Sequence, residues 1–113
     1  MRWFLRSKIH KATVTDTDIN YVGSIGIDKV LMKKVDILPG EKVLVVDNTN
    51  GARLETYVIE GERNSGKIVI YGAASRLIKK GDETIIMGFE LSDKPIKAKN
   101  ILVDKNNKFV KFL

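Results

Sequence analysis

Four short segments of the chain combine side chains that can attack a carbonyl, donate a proton or bind an anion with small residues that allow close backbone contacts. They are Lys8-Ile9-His10, Tyr21-Val22-Gly23-Ser24, Thr49-Asn50-Gly51 followed by Arg53 and Thr56-Tyr57, and Gly72-Ala73-Ala74-Ser75. In Gly23-Ser24, the glycine tolerates a strained backbone in which the serine hydroxyl reaches the preceding carbonyl carbon. The guanidinium of Arg53 offers a planar fork suited to a carboxylate. Taken singly, each segment also has a simpler interpretation, such as a turn at Gly23-Ser24 and an ordinary hairpin at Arg53.

Residue counts exclude several other kinds of catalytic site. The chain has no cysteine, which excludes thiolate nucleophiles, disulfides, zinc ribbons and iron–sulfur clusters. Its single histidine, His10, cannot supply the paired imidazoles of most catalytic zinc sites, so we predict no metal. A serine triad through His10 lacks a nucleophile elbow, and no glycine pattern for phosphate binding follows a strand. The sequence therefore contains no motif for a cofactor taken up from solution.

The net charge of +6 is concentrated at the two ends of the chain. Residues 1–11 carry +4 and residues 94–113 carry +5, which leaves −3 for the middle. Clustered cations can bind nucleic acid, and Trp3, Phe109 and Phe112 could stack on bases. A basic nucleic-acid-binding β-barrel is therefore the alternative function, and an inactive structural barrel is a third interpretation. We favour no nucleic-acid partner, because Lys108 and Lys111 alternate loosely with apolar residues, as on a solvated edge strand.

A length of 113 residues, of which 43% are hydrophobic and 30% charged, predicts one compact domain over 1–113. So short a chain has little room for a deep internal cleft, and a sizeable site then needs neighbouring subunits. The first residues contain no cleavable signal, and no run of about 18 apolar residues occurs. We expect a cytoplasmic protein without membrane association.

Short apolar segments rich in Val, Ile and Tyr alternate with turn residues, a pattern typical of a mainly β protein. The predicted strands are 3–14, 42–48, 53–60, 67–71, 83–90 and 98–103, with a weaker strand at the extreme C-terminus. Asn50-Gly51 predicts a hairpin turn, since both residues tolerate positive φ. Six or seven strands without a long helix favour a small closed β-barrel, in which no strand edge is exposed.

Two short helices are expected between these strands. Asp28 is a candidate cap for the first helix, which ends before Leu38-Pro39-Gly40. The second helix is expected to begin after Gly72 and to end near Gly81.

Taken together, in this order and spacing, the four segments resemble bacterial L-aspartate α-decarboxylase, a pyruvoyl-dependent family that makes β-alanine for pantothenate synthesis. The resemblance covers about residues 1–90. It implies a double-psi β-barrel that acts on L-aspartate and assembles as a homotetramer with sites between subunits. It also implies that the enzyme needs neither a metal nor pyridoxal phosphate.

The resemblance further implies self-cleavage between Gly23 and Ser24 into a 1–23 β chain and a 24–113 α chain. Attack of the Ser24 hydroxyl on the Gly23 carbonyl replaces the amide by an ester. Elimination then leaves dehydroalanine at position 24, and hydrolysis releases ammonia to give a pyruvoyl group. This group would form a Schiff base with the amine of aspartate and accept the electrons released as carbon dioxide leaves.

The remaining site residues take their roles from the same resemblance. Arg53 and Lys8 would bind the substrate carboxylates, and Tyr57 would protonate the carbanion. Thr56 would assist cleavage and contact substrate. Because Thr56 and Tyr57 face opposite sides of an ideal strand, these roles require a local bulge or twist. Additional substrate contacts are expected at Gly72, Ala73 and Ala74, and candidate pocket or processing residues are His10 and Tyr21.

Two positions depart from the family pattern. Tyr71 stands where an asparagine often precedes the glycine, which argues against an amide-mediated contact at this position. Val22 replaces a glutamate found in some relatives, which indicates that residue 22 is not essential for cleavage.

Overall fold

The computed structural model describes residues 1–113 and contains nine strands, one α-helix and one short 3-10 helix. The strands are β1 (Arg2–Thr13), β2 (Asp16–Asp18), β3 (Ser24–Asp28), β4 (Lys42–Asp47), β5 (Arg53–Gly61), β6 (Ile68–Tyr71), β7 (Glu83–Ser92), β8 (Lys99–Val103) and β9 (Phe109–Phe112). The helix α1 spans Lys29–Val35, and the 3-10 helix at Gly72–Arg76 is called the Gly72 turn below. No helix is long and apolar enough to cross a membrane.

The strands form one sheet in the order β2-β6-β3-β5-β4-β7-β1-β8-β9. Three pairs are parallel, β1 with β8, β2 with β6 and β3 with β5, and the other pairs are antiparallel. The sheet packs around one core of 18 buried apolar residues, contributed by seven of the strands, by α1 and by the connecting residues Val14, Ile37 and Ile78. The predicted mainly β fold of a small barrel is thus confirmed.

Two of the nine strands, β2 and β3, are absent from the predicted set. All five residues of β3 are buried, so the strand shows no alternation of apolar and polar positions. A strand covered on both faces lacks the period-two pattern on which the prediction relied. The missed strand matters because it begins at Ser24.

The first helix forms as expected. The Asp28 side chain accepts a hydrogen bond from the Val30 N–H at 2.9 Å, and Asp36 ends the helix with a left-handed backbone. The same buried carboxylate also accepts from the N–H groups of Asn64 and Gly66, so it joins α1 to the β5–β6 loop. The second helix is shorter than expected, because the Gly72 turn ends at Arg76 and not near Gly81.

The predicted hairpin joins β4 to β5, but its turn is longer than a two-residue Asn-Gly turn. Residues 48–52 form the connection, and only Gly51 has a positive φ, of 79°. Asp47 organises this loop by accepting hydrogen bonds from the N–H groups of Thr49 and Asn50. An Asx turn therefore shapes the loop.

The C-terminal strand β9 lies at one end of the sheet, which confirms the predicted edge strand. Phe109 packs partly against the core, and the Lys34 ammonium lies 4.2 Å from its ring centroid. The Phe109 ring is therefore engaged within the fold and is not a free platform for stacking a base.

Candidate active site

Ser24 is buried at the start of β3, which is hydrogen-bonded to β5 on one side and β6 on the other. Its side-chain oxygen is enclosed and has no hydrogen-bond partner. A buried hydroxyl without a partner costs about 1–3 kcal/mol, so such groups are rare unless they serve a purpose. Because no hydrogen bond holds the Ser24 oxygen elsewhere, it is free to act as a nucleophile toward a neighbouring carbonyl.

Gly23 and Gly72 are in direct backbone contact. Gly72 has a φ of 75°, and a Cβ placed there would lie 2.6 Å from Gly23 Cα and 2.9 Å from Gly23 N. The same Cβ would lie 3.1 Å from the carbonyl oxygen of Tyr21. The Gly72 turn therefore rests against the segment that leads into Ser24.

Two aromatic rings pack beside this contact. The centroids of Tyr21 and Tyr71 are 4.5 Å apart with the ring planes inclined by 45°. Tyr71 is also the cross-strand partner of Ser24 in the antiparallel β3–β6 pair. The structure thus brings Tyr21, Gly23, Ser24 and Gly72 together.

The other small residues of the Gly72 turn differ in their surroundings. Ala73 is exposed, whereas Ala74 packs against the apolar core. Ser75 is buried, and its hydroxyl donates a hydrogen bond of 2.7 Å to the Gly72 carbonyl oxygen. The first N–H groups of such a turn have no acceptor within it, so the exposed side at Ala73 can receive an anion.

Thr56 and Tyr57 lie on opposite faces of β5. Thr56 is half-buried, whereas Tyr57 is 39% exposed. The β4–β5 register runs without a break through Val43–Thr56 and Lys42–Tyr57, so β5 has no bulge beside Tyr57, and of the two expected distortions only a twist remains. The parallel β3–β5 register begins with Ile25 paired to Val58, so Ser24 and Tyr57 are the residues that directly precede this first pair on the two strands.

Lys8, His10 and Arg53 lie apart from Ser24, on a surface that we call the cationic face. Lys8 and His10 alternate along β1 with core residues, and β1 is four strands from β3 in the sheet. The cross-strand register joins Lys8 through Met87 to Leu44. The single chain therefore does not bring these cations against the Ser24 hydroxyl.

Arg53 is exposed at the start of β5 and lines an open groove of about 800 Å³. Other groove residues are Trp3, Glu41, Lys42 and Phe89. Ser24 does not line it. This groove thus lies where Arg53, and not Ser24, is presented.

One of the two register shifts in the β1–β7 pair is a bulge beside His10. Two residues, His10 and Lys11, stand opposite Ile85 of β7, and Lys11 has a φ of 66°. Partial burial lowers the pKa of His10, and the charges of Lys8 and Lys11 lower it further, against an opposing effect of Glu83. His10 is therefore neutral at neutral pH, and its Nδ1 is buried without a hydrogen-bond partner.

Two residues that shape the β4–β5 loop, Asn50 and Asp47, are absent from the predicted site residues. Asn50 donates a hydrogen bond of 2.7 Å to the Leu77 carbonyl and thereby ties the β4–β5 loop to the end of the Gly72 turn. Burial and, to a lesser degree, the neighbouring Asp82 carboxyl raise the pKa of Asp47, which shapes the same loop. The Asp47-Asn48-Thr49-Asn50 sequence is a turn signal, but its contact with a distant turn has no local signature.

Comparisons with known proteins agree with this geometry. The model of a family described as aspartate decarboxylase matches residues 1–110. An aspartate 1-decarboxylase from Thermoanaerobacter pseudethanolicus is 55% identical over 111 residues, which cover 95% of each chain. One from Pelotomaculum thermopropionicum is 52% identical over 94% of this chain and 83% of its own.

A third relative, the aspartate 1-decarboxylase of Staphylococcus aureus, is 56% identical over 86% of this chain and 77% of its own. The matches extend past the four segments on which the resemblance was based and reach the β8–β9 region. This chain therefore belongs to the aspartate decarboxylase family.

Proposed function

We propose that this chain is a pyruvoyl-dependent decarboxylase that converts L-aspartate to β-alanine and carbon dioxide, in the route to pantothenate. The observation that carries the proposal is the buried, unpartnered hydroxyl of Ser24 directly after Gly23. Membership of the aspartate decarboxylase family supports the reaction and the substrate. No observation favours the alternative of a nucleic-acid-binding barrel.

The proposed cofactor arises from the chain itself by cleavage between Gly23 and Ser24. The Ser24 oxygen bonds to the Gly23 carbonyl carbon, the peptide C–N bond breaks, and the hydroxyl proton ends on the Ser24 nitrogen. Loss of the Ser24 Cα proton then expels the Gly23 carboxylate and leaves dehydroalanine. Water hydrolyses its enamine form to a pyruvoyl group with release of ammonia, so water is the only co-reactant. The enclosed Ser24 oxygen fits this conversion, since no hydrogen bond competes for it.

Thr56 is proposed to assist the cleavage. It lies on the inner, half-buried face of β5, the strand that pairs with β3. A hydroxyl in that strand can stabilise the oxyanion that forms on the Gly23 carbonyl. Its placement supports a role in processing more directly than a role in substrate binding.

When formed, the pyruvoyl group supplies an electron sink for the loss of the substrate α-carboxylate. Tyr57 is proposed to return a proton to the substrate α-carbon, and this is supported because Tyr57 and Ser24 directly precede the first β3–β5 pair on their strands. Backbone groups of Gly72, Ala73 and Ala74 are proposed to contact the substrate next to the same strand. Tyr21, whose ring packs on Tyr71, closes that side of the site.

Arg53 and Lys8 are proposed to bind the two carboxylates of aspartate, with His10 beside them as a neutral group. A guanidinium and an ammonium suit this dianionic part of the substrate, and the guanidinium can bind one carboxylate through two hydrogen bonds. Since both cations are on the cationic face of the chain, their use requires a neighbouring copy. We therefore propose a homotetramer, located in the cytoplasm, in which the cationic face of one subunit completes the Ser24 region of the next.

Denaturing mass spectrometry of the purified protein tests this proposal. We expect fragments 1–23 and 24–113, the larger one without a free α-amine. Ser24→Ala should remain one chain and lose all decarboxylation of aspartate, because alanine has no hydroxyl to attack Gly23. Ser92→Ala, which removes a serine hydroxyl at the end of β7, should be cleaved and active. An intact, inactive wild-type chain after prolonged warming, or an active Ser24→Ala protein, contradicts the proposal.

A further inference from the structure

We propose that the Gly72 turn is the positioning element for self-cleavage, because it fixes the Gly23 carbonyl against the Ser24 hydroxyl. The turn does this through the absent side chain of Gly72 and through the hydroxyl of Ser75. The inference rests on the self-cleavage proposed above and assigns to Gly72 and Ser75 a role that precedes any contact with substrate.

The steric part of the argument concerns Gly72. A Cβ at this position would lie 2.6 Å from Gly23 Cα, and real Cβ atoms essentially never approach a heavy atom within 3.0 Å. The obstructing atoms belong to backbone, so they cannot rotate away as the end of a side chain can. Any side chain at position 72 must therefore displace Gly23, the residue that carries the scissile carbonyl.

The other glycines with a positive φ differ in what a side chain would meet. Gly66 also closely approaches backbone, but that of Asn106 and not that of the scissile residue. Gly81 has a φ of 91°, also in the region that disfavours side chains, but a Cβ there would meet no atom within 4 Å. Gly51, with a φ of 79°, is equally open. Of these four, Gly72 alone combines a positive φ with a close backbone approach to the scissile residue.

Consecutive residues of one segment contact consecutive residues of the other. Tyr71 is the cross-strand partner of Ser24, and Gly72 contacts Gly23. The segment 71–72 therefore holds both sides of the Gly23–Ser24 peptide bond. Cleavage needs the serine oxygen and the carbonyl carbon in a fixed relation, which a common support provides.

Ser75 in turn holds Gly72. It is 7% exposed, and its hydroxyl donates to the Gly72 carbonyl oxygen at 2.7 Å. This hydrogen bond fixes the orientation of the peptide that follows Gly72. Without this hydrogen bond the Gly72 turn is held less rigidly, and its contact with Gly23 weakens although no atom has been added.

The step that this element promotes is a rearrangement within the chain. The bond from Ser24 Oγ to the Gly23 carbonyl carbon forms, the C–N bond between the two residues breaks, and the proton passes from oxygen to nitrogen. A misplacement of about 1 Å can slow a reaction about 100-fold, so displacement of Gly23 should slow ester formation by at least that factor.

The first experiment compares Gly72→Ala with Gly81→Ala in the full chain. Intact mass is followed over time after rapid purification, with and without hydroxylamine, which cleaves the ester intermediate. We expect Gly72→Ala to cleave at least about 100-fold more slowly than wild type and to yield no hydroxylamine product. Gly81→Ala should cleave at the wild-type rate, although it carries comparable backbone strain. Thermal unfolding against uncleaved Ser24→Ala shows whether each variant is folded.

The second experiment removes the Ser75–Gly72 hydrogen bond and adds no side chain at position 72. It tests the positioning role even if Gly72→Ala does not fold. Ser75→Ala should fold and cleave about 10-fold more slowly, as expected for the loss of one hydrogen bond of about 1.5 kcal/mol. The matched control is Ser65→Ala, since Ser65 also donates to the carbonyl three residues earlier, that of Glu62 at 2.6 Å. Ser65→Ala should cleave like wild type.

The outcomes separate this inference from the proposal on which it rests. If wild type and Gly81→Ala both remain intact, self-cleavage itself is wrong. If wild type cleaves and both Gly72→Ala, when folded, and Ser75→Ala cleave at the same rate, the positioning role is overturned while self-cleavage stands. Slow cleavage of Ser65→Ala as well would also overturn it, because the effect would then be general destabilisation.

Discussion

The Ser24 region and the cationic face differ in how complete each is within one chain. Around Ser24, the backbone contact between Gly72 and Gly23 is closer than a side chain would allow, Ser24 and Gly72 are buried, and Tyr21 packs on Tyr71. The cationic face presents Lys8 and His10 on β1 and Arg53 on β5, where Arg53 lines an open groove. The first region contains the residues of the proposed intramolecular cleavage, whereas the second contains the cations proposed to bind substrate and lacks Ser24. The proposed self-cleavage can therefore take place within one subunit, whereas the proposed decarboxylation requires assembled subunits.

Among the variants that should change catalysis and leave cleavage normal, we expect the largest effect for Tyr57→Phe. Tyr57 is partly exposed and lies outside the close contacts around Gly23, so cleavage into 1–23 and 24–113 should proceed normally. Loss of the proton donor should lower kcat by about 100- to 10,000-fold. Mass spectrometry and steady-state kinetics on the same sample measure both quantities. Wild-type kcat in this variant would remove Tyr57 from the proposed role.

Arg53→Gln should affect substrate binding and leave cleavage unchanged. Replacing the guanidinium removes charged hydrogen bonds worth about 1.5–3 kcal/mol, which corresponds to a rise in KM of about 10- to 100-fold. The control is Arg63→Gln, an exposed arginine in the β5–β6 loop. A defect in cleavage caused by Arg53→Gln would show that the two regions are not independent.

The smallest effect is expected for His10→Gln and concerns the dependence of stability on pH. The folded pKa of His10 is below its ordinary value of 6.5, so the unfolded chain binds the proton more readily. The contribution of His10 to stability is present above pH 6.5 and is lost as the pH falls toward the lowered folded pKa. His10→Gln should flatten this part of a plot of Tm against pH. An unchanged slope would show that His10 does not titrate differently on folding.

Much of the fold could be predicted because its signals are local. Asp28 caps α1 through a side chain two residues before its donor, and β4 and β5 alternate buried and less buried residues along the chain. The strand β3 could not be recognised in this way, since both of its faces are covered. Its burial depends on β5 and β6, which follow much later in the sequence.

The sequence and the family resemblance predict a set of candidate site residues but not how these residues are arranged. Gly23-Ser24 is visible as a dipeptide, yet the need for glycine at position 72 comes from a backbone contact between distant segments. The roles of Lys8, Arg53 and Tyr57 likewise came from the family resemblance, because surface cations and a strand tyrosine occur in most proteins. The arrangement of these residues depends on long-range packing and on assembly, which no local sequence pattern encodes.

The pairing of β1 has a consequence for the stability of the protein after the proposed cleavage. β1 lies between β7 and β8, and it contributes Ile9 and Ala12 to the core. A 1–23 fragment would therefore remain hydrogen-bonded to strands of the 24–113 fragment on both sides. Cutting the chain after Gly23 leaves these contacts in place, and the fragment can leave only if the fold opens. Unfolding the cleaved protein separates two molecules, and refolding then depends on their encounter and on concentration. Folding is therefore a first-order process only before maturation, and the persistence of the mature protein is governed by its rate of unfolding.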